Sequence, residues 1–401
     1  MIVIGTTVGA GMLALPLTSA AAGFTASTIL LLALWVLTIA SGFMIIEVNL
    51  ALPIQACSFS SMAEKTLGSF GKIITWITYL LLMYAATCAY ISGAASLITN
   101  VFDSFFALKI PIWINTIIFT LVLGSAVFWS TSSVDYVNRG LLSTKGILLF
   151  ITLILVLPHI DVSQLYVKTS AASCNYLWGA LPIFICALCY HIVVPSLRIY
   201  VGDKPQQLKW IIVIGSGTAL LIYLLWLAAT LGVVPLTGTA SFTTIANSHG
   251  SVGELVRILS QAINRHSVSI FINAFANIAM TTSFLGVSLS LFDFLADGCK
   301  RPNTRFGRMQ TACLTFIPPL IFAICYPKGF LTALNYAGVF VAMLSLVLPA
   351  LMLYKLRKHA TLKSSYRTKV GYITMAIAFV VGIIIVSLPL LMSLNLVPTL
   401  H

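Results

Sequence analysis

Apolar residues in this chain fall into runs of about 20, parted by short polar breaks. At ~1.5 Å per residue, a helix of that length crosses the ~30 Å hydrocarbon core of a bilayer. The pattern predicts eleven membrane spans, at about 2–22, 26–50, 73–98, 111–130, 141–157, 176–195, 210–233, 270–292, 309–325, 331–354 and 371–394. Two of the longer breaks are alike. Ser61 to Lys72 (SMAEKTLGSFGK) and Ser251 to Arg265 (SVGELVRILSQAINR) both read as short helices lying on a membrane surface. One follows span two and the other span seven, the same ordinal place in spans 1–5 and 6–10. An inverted five-helix repeat has that arrangement. The repeats would cover about 1–157 and 176–354, with 371–394 as one extra helix. No linker divides the chain, so 1–401 is expected to be a single transmembrane domain.

Two spans are interrupted. Span one carries Gly5-Thr6-Thr7-Val8-Gly9-Ala10-Gly11 and then Pro16; span six carries Pro182, small and polar residues up to His191, and then Pro195. Within a helix, glycine costs ~1 kcal/mol relative to alanine and proline ~3 kcal/mol. Non-helical backbone at membrane depth survives where it is buried in protein or lines a cavity. Gly5 and Gly9 alone also fit a GxxxG helix-packing face. Gly11, the proline and the matching break in span six favour a binding site, because breaks in corresponding helices of two repeats mark a carrier's substrate site.

Composition narrows the class. Hydrophobic residues make up 59% of the chain and charged residues 8%, against roughly 25% charged in soluble domains; mean hydropathy is +1.04. Lipid is therefore the main solvent. With the N-terminus placed in the cytoplasm, 17 of the 22 Lys and Arg fall on the inner side. Lys109, Lys168, Arg257, Arg265 and Lys328 fall on the outer side, and the C-terminus lies outside. This split follows the positive-inside rule and accounts for the net charge of +13 without any nucleic acid partner. Span one is no signal peptide, since it lacks a basic n-region and glycines and Pro16 interrupt it. It opens almost at Met1, so a cytoplasmic tail upstream of Met1 is expected.

Other classes find little support. Cys88, Cys186, Cys189, Cys313 and Cys325 fall in spans, and Cys57 and Cys299 face the cytoplasm. Cys174 alone lies in an outer loop, so no disulfide framework is expected. Cys186 and Cys189 read as small packing residues of an apolar helix. The six histidines are scattered (159, 191, 249, 266, 359 and 401) and form no metal cluster. HExxH, GxSxG and the phosphate-binding P-loop are absent from the sequence, which speaks against an intramembrane enzyme. A channel would show a polar stripe or charged ring.

Gly5 to Leu17 (GTTVGAGMLALPL), Met44 to Leu50 (MIIEVNL) and Leu181 to Leu197 (LPIFICALCYHIVVPSL) resemble the bacterial hydroxy and aromatic amino acid permeases, with the tyrosine-specific subgroup nearest. That family belongs with the amino acid–polyamine–organocation carriers. The resemblance implies an all-α integral membrane protein of the leucine-transporter (LeuT) type, a 5+5 inverted repeat with discontinuous helices 1 and 6. It implies a multi-pass symporter of the bacterial inner membrane, importing an aromatic amino acid, tyrosine first, on the proton motive force. Tryptophan or serine/threonine as substrate, and sodium as coupling ion, stay open. No cofactor is implied beyond the coupling ion. The chain departs from the family at Cys186-Ala187 and Cys189-Tyr190, which bears on selectivity.

The residues then take expected roles. Backbone N–H groups freed near Gly9, Ala10 and Gly11, at the positive end of a half-helix, suit the substrate carboxylate. Carbonyls around Ile185, Cys186 and Ala187 would accept from its ammonium, and Phe184 and Tyr190 would pack on its ring. Ala279, Thr282 and Ser283 share one helix face. In the LeuT type such a face, with carbonyls matching Gly5 and Val8, forms a sodium site; packing and back-bonding also account for it. Lys145, roughly 9 Å into span five, competes: some proton-coupled relatives place a lysine amine there, while a snorkelling lysine is the alternative. His191, an ionisable group within a span, reads as a proton relay or as a neutral residue orienting span six. Glu47, with Asp293, Asp297 and Arg198, reads as an inner-gate pair or as ordinary interfacial charge.

Overall fold

The computed structural model describes residues 2–54, 58–129, 131–166, 175–248, 250–301, 304–358 and 366–394. Cys57, Cys174, Lys168, Lys363, His249, His359 and His401 lie outside these ranges. The described chain is helical, as the apolar runs predict. Helices α1 (Ile2–Thr7) and α2 (Gly11–Ser19) form the interrupted first span. They are followed by α3 (Gly23–Leu50), α4 (Phe59–Phe106), α5 (Ile112–Trp129) and α6 (Thr131–Val156). The second interrupted span is α7 (Leu177–Ala187) and α8 (Val194–Val201). Then come α9 (Pro205–Val233), α10 (Val252–Ile263), α11 (His266–Gly298) and α12 (Arg305–Cys325). α13 (Phe330–Ala342) continues through a π-helical turn (Met343–Val347) into α14 (Leu348–Lys358), and α15 (Tyr372–Ser393) closes the order.

Ten helical segments among the described residues are long and apolar enough to cross a membrane, against the eleven expected. The difference sits at the start. Gly11–Leu50 runs as one segment by that measure, although Gly23, at φ 77°, turns the chain between α2 and α3. Only glycine takes that backbone without strain. The first of the two surface helices is continuous with its span except at Gly68, where φ 78° and ψ −169° bend the chain. The second is α10, whose inner face of Val252, Leu255, Val256 and Leu259 is buried.

The core gathers around the interrupted helices. α2 and α13 pack on α7, while α1 and α3 pack on α9; α11 lies against both α4 and α6. Gly338 of α13 faces the Pro182 carbonyl so closely that a β-carbon would overlap it. α15 stands outside this core, against α13, α14 and the π-helical turn. Between α15, α3 and α7 runs an almost wholly apolar groove of about 670 Å³, lined by residues such as Leu30, Trp178 and Ile377. It offers no charged group to a zwitterion.

Candidate site at two helix breaks

Both predicted interruptions are present. α1 ends at Thr7, and Val8, Gly9 and Ala10 are not helical before α2 begins. α7 ends at Ala187, and Leu188 to Tyr190 leave the helix before a short 3₁₀ turn at His191–Val193. The breaks lie side by side: a β-carbon on Gly11 would stand 3.7 Å from the Ala187 Cα. Arginine, lysine and acidic residues are absent from both breaks.

The backbone groups at the first break divide by partner. The Val8 N–H still donates to the Ile4 carbonyl at 2.9 Å, and the Ala10 N–H donates to Ser283 Oγ at 3.0 Å. No hydrogen bond is found for the Gly9 and Gly11 N–H groups among the described residues. These two amides are the donors the break leaves over. At the second break, the Cys186 carbonyl accepts from the Cys189 N–H at 3.2 Å. The Ala187 carbonyl accepts from the Tyr223 hydroxyl at 2.8 Å. Phe184 and Ile185 are fully buried behind it.

Lys145 reaches the first break. Its Nζ donates to the Val8 carbonyl at 2.6 Å, and the residue is 5% exposed. A snorkelling lysine would carry its ammonium out to water; this one turns inward. Isolated ammonium groups in low dielectric cost several kcal/mol, and the Val8 carbonyl supplies the partner that such a group needs. Of the neighbouring α11 residues, Ser283 turns its hydroxyl to the Ala10 N–H, while Thr282 back-bonds to the Ala279 carbonyl at 3.1 Å. A β-carbon on Gly9 would come within 2.9 Å of Ser283 Oγ, so the glycine permits this approach. A β-carbon on Gly5 would meet no atom of another segment within 4 Å.

Tyr190 and His191 face α3. The Tyr190 hydroxyl and His191 Nε2 both donate to the Thr38 carbonyl, at 2.8 Å and 3.1 Å, and their rings stack at 4.5 Å. His191 Nδ1 is buried with no partner among the described residues. In a neutral imidazole with its hydrogen on Nε2, Nδ1 is the acceptor. Gly42 makes room for the Tyr190 ring, since a β-carbon there would meet its hydroxyl at 2.7 Å.

Glu47 sits at the end of α3, 2% exposed, and forms a bidentate pair with Arg357 of α14 at 2.8 and 2.7 Å. It also accepts from the Thr368 N–H at 2.6 Å and from the Thr368 hydroxyl at 2.8 Å. Arg198 does not pair with Glu47. It donates to the Asn49 and Leu52 carbonyls and to Asp203. That arginine holds the Asp203 carboxyl below its usual range in the loop after α8. Asp293 and Asp297 are exposed.

Sequence reasoning missed Tyr223 and Arg357. Tyr223 is fully buried in α9, with its hydroxyl on two carbonyls. The signal was available: a tyrosine inside an apolar span has a hydroxyl that needs a partner.

Paired broken helices at the centre of a helical membrane bundle define a fold of the LeuT type among the described residues. A crystal structure of a manganese transporter mutant from Eremococcus coleocola has the same fold, with a TM-score of 0.62 over 98% of this chain and 84% of that one, at 15% identity. The chain belongs to the tryptophan/tyrosine permease family, whose sequence model matches residues 1–389. It is 34% identical to a tyrosine-specific transport system of Haemophilus influenzae over 99% of this chain and 97% of that protein. It is 36% identical to a tryptophan-specific transport protein of Pseudomonas aeruginosa, over 89% and 85%. The protein is thus a multi-pass membrane permease for aromatic amino acids.

Proposed function

We propose that this permease is a proton-coupled symporter that imports tyrosine across the bacterial inner membrane, with its N-terminus in the cytoplasm and its C-terminus in the periplasm. Its two halves, about 1–157 and 176–354, act as inverted repeats around the breaks. The observation that carries the reading is the pair of unwound segments side by side, with spare amides at Gly9 and Gly11. The substrate carboxylate takes those amides at the positive end of α2. Its ammonium takes the Ile185, Cys186 and Ala187 carbonyls, and Phe184 flanks its ring. Tyr190 and His191 brace the second break against α3.

Proton coupling is supported by Lys145. An ammonium on the Val8 carbonyl stands where the sodium reading needs an ion, and a lysine amine carries a proton reversibly when desolvated. The Thr282 hydroxyl, turned to its own helix, gives sodium less support. The tyrosine preference rests on the nearest-subgroup resemblance and the tyrosine-specific relative. Tryptophan is the second substrate reading, carried by the tryptophan-specific relative.

The test is uptake of labelled tyrosine into proteoliposomes under a pH gradient or a sodium gradient applied separately, with tryptophan and serine as competitors. Tyrosine should accumulate with the pH gradient alone. Lys145→Met should abolish this accumulation while leaving tyrosine binding measurable. Uptake that follows sodium and ignores the pH gradient overturns the coupling, and stronger competition by tryptophan than by tyrosine itself overturns the substrate.

A further inference from the structure

Tyr223 touches both breaks. Its hydroxyl lies 2.5 Å from the Thr7 carbonyl and 2.8 Å from the Ala187 carbonyl, the last residues of α1 and α7. A phenol has one hydrogen to donate. Whichever carbonyl receives it, the other is left facing phenol lone pairs in a buried site. A turn of one O–H bond exchanges the two arrangements. The ring stays in place, because α9 is buried around it and Trp226, one turn on, packs edge-on against Phe275 at 5.7 Å. The hydroxyl is therefore a two-state element fixed between the two segments.

Each carbonyl is tied to a different part of the mechanism. Thr7 directly precedes Val8, whose carbonyl receives Lys145 Nζ. Ala187 belongs to the segment assigned to the substrate ammonium. We propose that Tyr223 is the positioning residue that couples cation binding at Lys145 to substrate binding at the α7 break; this rests on the proton-symport reading above. With the ammonium on the α7 carbonyls, the hydroxyl hydrogen turns to Thr7 and both acceptors are satisfied. A protonated Lys145 holds Val8, and with it keeps the Thr7 carbonyl within reach of the phenol. A neutral amine holds Val8 less firmly. The hydroxyl then stays on Ala187 and competes with the substrate. Two sites that bias one bistable element are thermodynamically coupled, and the coupling is reciprocal. Tyr90 of α4 and Cys186 and Cys189 of the second break are ionisable groups near the hydroxyl; Lys145 holds the carbonyl of Val8, the residue after Thr7.

The test uses the full chain, purified and measured for binding of labelled tyrosine. In the wild type, affinity should rise roughly tenfold between about pH 9 and about pH 6, an ordinary coupling energy. In Y223F the pH dependence should shrink to less than about twofold, with binding at low pH retained. K145Q should flatten the same profile, and the double variant K145Q/Y223F should match either single one. Y223M removes the hydroxyl with a more adaptable side chain and takes the place of Y223F if that variant does not fold. A folded Tyr223 variant with the wild-type pH profile overturns the proposal, as does one that loses binding equally at every pH. A wild type that binds tyrosine without any pH dependence sinks the proton-symport reading instead, before Tyr223 is at issue.

Discussion

The Ser283 hydroxyl accepts the Ala10 N–H, whereas Thr282, next in line, spends its hydroxyl on its own helix. The two neighbours should therefore differ on substitution. Ser283→Ala leaves a buried N–H without its acceptor, a cost of ~1–3 kcal/mol. Since about 1.4 kcal/mol is tenfold, initial uptake of tyrosine should fall by roughly fivefold to 150-fold. Thr282→Val should leave uptake within about fivefold, because a lost intrahelical back-bond is worth ~1 kcal/mol or less. A large loss from Thr282→Val would return the sodium reading to favour, since only an ion needs that oxygen. The glycines around this site were legible in the sequence because their effect is local: three of them in seven residues cannot make a good helix wherever they lie. The placement of Ser283 against Ala10 was not legible, since 273 residues separate the partners. Tyr223 was hidden for the same reason, with partners 216 and 36 residues away.

At the scale of elements, the interrupted helices were predictable and their contacts were not. Apolar length located the spans, and glycine with proline located the breaks. Hydropathy contains nothing that sets which helix leans on which. The π-helical turn at Met343–Val347 left no trace in the apolar run of span ten, and its Ser345 carbonyl accepts from the Ser41 hydroxyl. Gly338, one turn before it, has its consequence only in the assembled bundle. A methyl group there meets the Pro182 carbonyl, and backbone does not yield as a flexible side chain does. Overpacking of this kind costs ~1–3 kcal/mol. Gly338→Ala should lower the thermal unfolding midpoint in detergent and weaken substrate binding, because α13 would be levered off α7 just ahead of the second break. A variant with unaltered melting and binding would show that α7 shifts freely.

Across the whole molecule, the far end of α3 is a junction. Glu47 joins Arg357 and Thr368, Arg198 grips the Asn49 and Leu52 carbonyls, and Lys209 of α9 lies 4.8 Å from the Tyr366 ring centroid. Sequence reasoning read Glu47 either as part of an inner-gate ion pair or as ordinary interfacial charge, and did not single out Arg357, which stood among six basic residues of one loop. Breaking a buried pair from one side costs ~3–5 kcal/mol, whereas removing both charges costs far less. Glu47→Gln should therefore destabilise the protein more than the double variant E47Q/R357Q. Thermal unfolding of the single and double variants checks this, and strict additivity would count against a coupled pair. A gate role adds that the single variant changes transport rate more than affinity.

The Glu47 clasp also bears on how the protein is made. Its arginine lies 310 positions downstream, so the carboxylate emerges from the ribosome long before its counterion exists. Until Arg357 and Thr368 arrive, Glu47 has to remain at the wet headgroup boundary, and α3 cannot settle to its final depth. Chains truncated ahead of Arg357 should insert their early spans yet stay sensitive to protease near residue 50, because the last helices to be synthesised seat one of the first.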